Sequence, residues 1–214
     1  MKAKLKKRNS KITLVLFAFL FAAIGGYFII NSFAAVPITR YVNPNGLDTN
    51  SQCTSSSAPC KTFNRAYQVS SGGDTVIVQT GDYGTQTFTG RSDLTSAVKF
   101  VADKDANGNA VNITNSFLMQ DQNTPVSYIT FDGRNADGSY GNHWDRVSGN
   151  IQYGAHHINF YGIHIRADNT GTTVYTTGRS HDIGFYDGEL GPQVKGSDVL
   201  DFQPRNPGDP VPYN

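Results

Sequence analysis

Three short runs in this chain share one pattern: Tyr128-Ile129-Thr130-Phe131-Asp132-Gly133, His157-Ile158-Asn159-Phe160-Tyr161-Gly162 and Asp182-Ile183-Gly184-Phe185-Tyr186-Asp187-Gly188. Each carries Ile and Phe two places apart, then a Gly at or one place after the same point. The Ile positions are 29 and 25 residues apart. A strand motif returning at such a period, with Gly and Asn between copies, signals a chain winding into stacked repeats. Side chains alternate along a strand, so Ile129, Ile158 and Ile183 should form one inward ladder and Phe131, Phe160 and Phe185 another. Asp132, Tyr161 and Tyr186 then share an outward row. A β-sandwich competes with this reading, but sandwich strands recur every ~8–12 residues.

Composition points the same way. Glu189 is the only glutamate, whereas glycine numbers 22. Few Glu, Lys and Leu beside many Asp, Asn, Thr and Gly disfavour long helices and favour short strands joined by turns. The expected class is all-β.

The first 35 residues stand apart. Lys2, Lys4, Lys6, Lys7, Arg8 and Lys11 precede an uncharged run at 12–30, followed by Asn31-Ser32-Phe33-Ala34-Ala35. A basic flank, an apolar stretch and small residues make an export signal. The run is also long enough to span a bilayer, so cleaved signal and retained membrane anchor both stay open. Either places the rest of the chain outside the cytoplasmic membrane, as an extracellular or cell-surface protein. Of the 18 Lys and Arg, these six leave 12 against 17 acidic residues from Val36 onward, a net of −5. That balance argues against nucleic-acid binding, which needs a basic track along the phosphates. Cys53 and Cys60, the only cysteines, lie in a Ser-rich loop. Export favours their pairing as a disulfide over two free thiols.

From residue 36 the text divides into a cap at 40–73, repeats at 74–202 and a tail at 203–214 whose prolines block a sheet ladder. Within the cap, Lys61-Thr62-Phe63-Asn64-Arg65-Ala66-Tyr67-Gln68-Val69 places Phe63, Ala66 and Tyr67 on one helical face, with Ser70 beside them. Asp74-Thr75-Val76-Ile77-Val78 reads as the first apolar strand. No polar helix or strand precedes the tail to close the stack, so either the chain continues beyond Asn214 or the proline-rich tail folds over the open end; the expectation is that it continues.

The run containing Tyr41-Val42, Asn43-Pro44-Asn45-Gly46, Lys61-Thr62, Gly73-Asp74-Thr75-Val76 and Gly81-Asp82-Tyr83 is similar to the opening module of right-handed parallel β-helix proteins of the pectate-lyase-like superfamily. Cys60 replaces the aromatic residue usual before the Lys-Thr. The resemblance rests on motifs over residues 40–84 and on repeat pattern alone over 97–200. It implies a right-handed parallel β-helix with one short N-terminal capping helix, behind the signal or membrane helix. It does not specify a reaction, because that superfamily holds lyases, hydrolases, epimerases and non-catalytic surface proteins.

Several constellations carry candidate chemistry. His164 lies six residues after Ile158 and Glu189 six after Ile183, which puts them on adjacent repeats, with Asp187 and Asp182 near in sequence and Arg166 on the face of His164. A His beside a carboxylate suits general acid–base work, and two carboxylates flank the bond in glycoside hydrolysis. An exposed ion pair needs no such function. Tyr161, Tyr186 and Asp132 on an outer face, with Arg166, suit sugar binding, since aromatic rings stack on sugar faces. Strand propensity alone also places Tyr there. Trp144, the only tryptophan, sits in a Gly-rich insertion and reads either as a sugar platform or as a lid folded onto the core. Asp103, Asp105 and Asn107 match the first half of a calcium loop, but Thr114 stands where the bidentate Glu belongs. Calcium is therefore a candidate and no cofactor is required. His156 and His157 should face opposite ways on a strand, which disfavours joint metal binding.

Two functions follow. One is an exported carbohydrate-active enzyme, a polysaccharide lyase or glycoside hydrolase. The other is a non-catalytic surface protein that binds polysaccharide or surface glycan, held to the membrane if its N-terminal helix is retained.

Overall fold

The computed structural model describes residues 36–49, 52–103, 111–113, 116–135, 137–139, 144–145, 149–165, 174–190 and 200–203. The N-terminal segment read as signal or anchor and the proline-rich residues 204–214 lie outside them. Among the described residues no helix is long and apolar enough to cross a membrane.

The described chain is mostly strand, with one helix. Six strands form the first sheet in chain order: β1 (Thr39–Val42), β2 (Thr75–Val78), β5 (Val98–Ala102), β8 (Ser127–Asp132), β11 (His156–Tyr161) and β14 (His181–Tyr186). A second sheet holds β4 (Gln86–Thr87), β7 (Phe117–Met119), β10 (Gly149–Ile151), β13 (Val174–Thr177) and β16 (Leu200–Gln203). A third holds β3 (Asp82–Tyr83), β6 (Val111–Ile113) and β9 (Trp144–Asp145), and a fourth pairs β12 (His164–Ile165) with β15 (Glu189–Leu190). Every named strand pair is parallel, and each joins one repeat to the next.

The register is the one the repeats prescribe. Ile158 pairs with Ile129 and Ile183, and Phe160 with Phe131 and Phe185. Phe131 and Phe160 stack at 5.1 Å between centroids, Phe160 and Phe185 at 4.8 Å. The column extends backward through Phe100, 5.4 Å from Phe131, to Phe63, 5.5 Å from Phe100. Phe63 opens the helix α1 (Phe63–Val69), whose buried residues are Phe63, Ala66 and Tyr67. The helix therefore closes the core by adding its own ring to the phenylalanine column. Thr62 caps its N-terminus by accepting from Arg65 N–H, and Asp48 in turn accepts from the Thr62 hydroxyl and from two backbone N–H groups. These bonds satisfy groups that a helix start otherwise leaves open.

The outer edge of β1 is covered by the disulfide loop. Cys53 pairs with Cys60, their Cα atoms 5.2 Å apart. The Cys53 carbonyl accepts from Tyr41 N–H, Cys60 N–H donates to the Tyr41 carbonyl, and the Cys60 carbonyl accepts from Asn43 N–H. A short cross-linked loop thus occupies an edge that would otherwise template pairing with another chain.

Beneath it, Asp74 ties the cap to β1. Its Oδ2 accepts from Arg40 Nη2 at 2.9 Å and from Ser71 N–H, and its Oδ1 accepts from Ile38 N–H at 2.7 Å. Both side chains are almost wholly buried. Burial opposes the charged form, but the Ile38 and Ser71 N–H groups and the Arg40 guanidinium outweigh it and hold the carboxyl below its ordinary pKa. Asp74→Ala strands a buried guanidinium, and urea unfolding should show a loss of about 3–5 kcal/mol. Phe160→Ala, which opens a gap inside the column, should lose about 3–5 kcal/mol in the same measurement.

Candidate functional site

The outer face of the six-stranded sheet gathers three of the candidates. Register places Asp132, Tyr161 and Tyr186 side by side on β8, β11 and β14. Their environments differ sharply. Asp132 is only 5% exposed and is saturated with partners. Arg134 grips it through Nε and Nη2 at 2.9 and 2.8 Å, Arg134 N–H donates to it, and Lys99 Nζ lies 2.7 Å from Oδ2. Burial works against ionisation here, yet the two cations and the backbone N–H prevail and hold the carboxyl far below the ordinary carboxylate range. Lys99, Val101, Asp132, Arg134, Asn135 and neighbouring residues line a groove of about 430 Å³. Its charges are spent on one another.

Arg134 also lies over the Tyr161 ring, 4.2 Å from its centroid, and Tyr186 stacks on Tyr161 at 4.7 Å with 16° between planes. A guanidinium and a ring at those distances require opposite faces. Tyr161 is thus filled on both sides and supports the column, while Tyr186, 46% exposed, is the aromatic offered to solvent. Asp187 follows it, exposed and with φ of 51° at the corner leaving the sheet.

Trp144 is fully buried, which removes it as an open sugar platform. Its ring meets Phe63, Phe117 and Phe131 edge-on, at 6.0, 6.3 and 5.7 Å. Gly133 makes room for it: a Cβ there would stand 2.5 Å from Trp144 Cδ1 and from the Gly162 carbonyl oxygen. The ring turns inward as a lid on the core, because an indole placed there buries far more apolar surface than it would in an open loop.

His164 and Glu189 are register partners in β12 and β15, and Ile165 pairs with Leu190, each seven residues past its ladder isoleucine, Ile158 or Ile183. Arg166, Asp105 and Asn107 lie outside the described residues. Asp103 is exposed just past β5. Among the described residues no group of three or more His, Cys, Asp or Glu is placed to hold a metal ion.

Sequence alternation fails at one place. Tyr128, His157 and Asp182, each the second residue of its strand, have φ of 58°, 55° and 53°. This left-handed residue recurs in three neighbouring strands, and it turns His157 to the same side as His156. Their rings are 5.1 Å apart, and His156 stacks on His181 at 5.1 Å while His157 stacks on Tyr128 at 4.5 Å. The two histidines therefore do not face opposite ways as strict alternation predicted. His156 and His181 each turn Nδ1 to a nearby carbonyl, those of Gly154 and Arg179. Asp182 Oδ2 sits 3.8 Å from His157 Nδ1 and 3.7 Å from His181 Nε2. His157, Asn159, Asp182, Ile183, Gly184 and Tyr186 enclose a second groove, of about 190 Å³.

Lys99, Arg134, Asn159 and His157 were not among the sequence candidates. Lys99 was within reach: aligning Phe100 with Phe131 sets Lys99 on the outward side of the adjacent strand. Arg134, two residues past an Asp that begins a turn, had a local signal as well. The left-handed position of His157 had none, since no glycine marks it: Tyr128, His157 and Asp182 fill the matching positions.

Comparison with known families, with curated proteins and with solved structures finds no match to this chain.

The Asp132 cluster has a pH signature. A carboxyl whose pKa is lower folded than unfolded contributes stability that is complete above the unfolded value near ~3.9 and drains away below it. Denaturant midpoints should therefore fall on acidification from about pH 5 to 3. Asp132→Asn should be less stable than the parent at pH 7, by about 1–3 kcal/mol, and the gap should narrow across that range. A gap independent of pH would contradict the assignment.

Proposed function

We propose that this chain is an exported glycan-recognising protein built on a right-handed parallel β-helix of the pectate-lyase-like type. The stacked parallel repeats, the capping helix and the Tyr41–Tyr83 motifs support the fold. The basic and apolar N-terminus with a disulfide supports export to the cell exterior or surface. The observation that carries the function is Tyr186. It is an exposed ring braced from behind by Tyr161 and Arg134, on the face of a rigid sheet. Rigid aromatic surface bordered by hydrogen-bonding groups is what stacking on a pyranose ring requires, and pre-ordering it lowers the entropy cost of binding.

Cleavage of the bound polysaccharide is the second reading, favoured by the backbone pairing of His164 with Glu189. Residues carrying a carboxylate and an imidazole at paired positions of adjacent strands suit general acid–base steps in elimination or hydrolysis. Asp187, at the corner between Tyr186 and Glu189, is the nearest second carboxylate in sequence.

Affinity electrophoresis through gels containing plant, bacterial and animal polysaccharides separates these readings. At least one polysaccharide should retard the protein, and Tyr186→Ala should weaken that retardation about tenfold while Tyr186→Trp preserves it. No retardation by any of them overturns the proposal. If reducing ends or unsaturated products also accumulate, Glu189→Gln should abolish them with an unchanged circular dichroism spectrum. Full activity in that variant removes the His164–Glu189 site.

A further inference from the structure

The two grooves on this face differ in one decisive respect. In the larger one, Asp132, Arg134 and Lys99 satisfy each other. In the smaller one the hydrogen-bonding groups are unspent. Among the described residues, the side chains of Asn159, Asp182 and Tyr186 make no hydrogen bond within 3.5 Å, and Asp182 Oδ2 lies 3.7 and 3.8 Å from the imidazoles of His181 and His157.

The floor of this groove is Gly184, a glycine inside a strand, where the residue ordinarily weakens the sheet. Its register neighbours along the same row are Asn159 and then Thr130. Only at 184 is the side chain missing, and the phenol end of Tyr186 occupies the place. A Cβ at 184 would stand 2.3 Å from Tyr186 Cε2 and 2.5 Å from its hydroxyl oxygen. Glycine here lets the ring lie down along its own strand, toward Asp182. The left-handed backbone at Asp182 lifts the carboxylate out beside His157, whose ring is fixed by its stack on Tyr128. Three separate irregularities, Gly184, the left-handed Asp182 and the braced Tyr186, thus converge on one small space.

We infer that this groove is a subsite for a single neutral sugar residue of a longer glycan. The inference rests on the glycan-recognition reading above and specifies its ligand. A volume of about 190 Å³ falls below the roughly 300–1,000 Å³ of pockets that take drug-sized ligands, and fits one ring. An ionised carboxylate accepts, an amide donates and accepts, and a phenol does both, which matches neighbouring hydroxyls on a pyranose. An apolar ligand would desolvate these groups without pairing them. A uronate or sulfated sugar would bring its charge against Asp182, while Arg134, the guanidinium over Tyr161, is engaged by Asp132. An amine would satisfy Asp182 and leave Asn159 and Tyr186 unmatched.

Isothermal titration of the full chain with neutral tetrasaccharides of β-1,4-linked glucose, mannose and galactose, and with tetragalacturonate, tests this. At least one neutral tetrasaccharide should bind and tetragalacturonate should bind at least tenfold more weakly. Asp182→Asn should weaken the neutral ligand about tenfold or more, since a hydrogen bond to a charged acceptor is lost. Asparagine tolerates the left-handed backbone, so the fold is retained. Gly184→Ala should weaken it comparably by displacing the Tyr186 ring, with an unchanged thermal midpoint. Neutral binding insensitive to both variants overturns the groove and leaves glycan recognition standing. So does preferential binding of tetragalacturonate. If no tetrasaccharide binds and no polysaccharide retards the protein, both readings fall together.

Discussion

Parallel pairing of each strand with its counterpart one repeat later is the constraint on which everything else depends. It fixes which side chains become neighbours, because matching positions in successive repeats are brought to one strand spacing, about 4.8 Å. At that distance planar side chains can stack. The inner phenylalanines do so from Phe63 to Phe185, and on the outside Tyr161 stacks with Tyr186 and His156 with His181. A single substitution in such a column affects two neighbours at once. Stability is consequently shared between adjacent repeats, as expected when each contacts mainly the next.

That dependence explains how the ends are treated. Among the described residues no repeat precedes the first, whose apolar ring column and strand edge would otherwise both be open. Phe63 of the helix closes the column, and the Cys53–Cys60 loop occupies the edge through three backbone hydrogen bonds. Arg40 and Asp74 pin the two devices to the first pair of strands. Burying this ion pair is costly unless its hydrogen bonds are met, and here the carboxylate accepts from two backbone N–H groups as well as from the guanidinium. The pair acts as a staple with one geometry.

How much of this was legible in the sequence follows from the same physics. The Ile and Phe ladders, the helix face and the pairing of Ile165 with Leu190 were readable because they depend only on period and alternation. Trp144 was ambiguous: a polar, Gly-rich loop conceals whether its ring turns in, and the deciding feature is Gly133, whose missing side chain admits the indole. The outward row was readable as a row, but its roles were not. Asp132 and Tyr186 occupy equivalent positions, yet one is buried under Lys99 and Arg134 and the other stands in solvent. Which of these happens depends on what the next residues in the corner do, and corners carry no periodic signal.

The left-handed residues at 128, 157 and 182 show why the irregular positions matter most for function. A regular strand face offers evenly spaced side chains with no concavity. A groove requires breaking the pattern, either by omitting a side chain, as at Gly184, or by rotating one out of line, as at His157 and Asp182. Each break costs stability: an interior glycine weakens a strand, and a left-handed non-glycine residue is strained by about 1–2 kcal/mol. Stacking offsets part of that cost, since Tyr128 and His157 occupy the irregular position in successive strands and lie ring on ring. The repeat thus supplies the rigidity, and its local violations supply the shape. Binding groups are expected where several violations meet, which on the described surface is around Asp182, Gly184 and Tyr186.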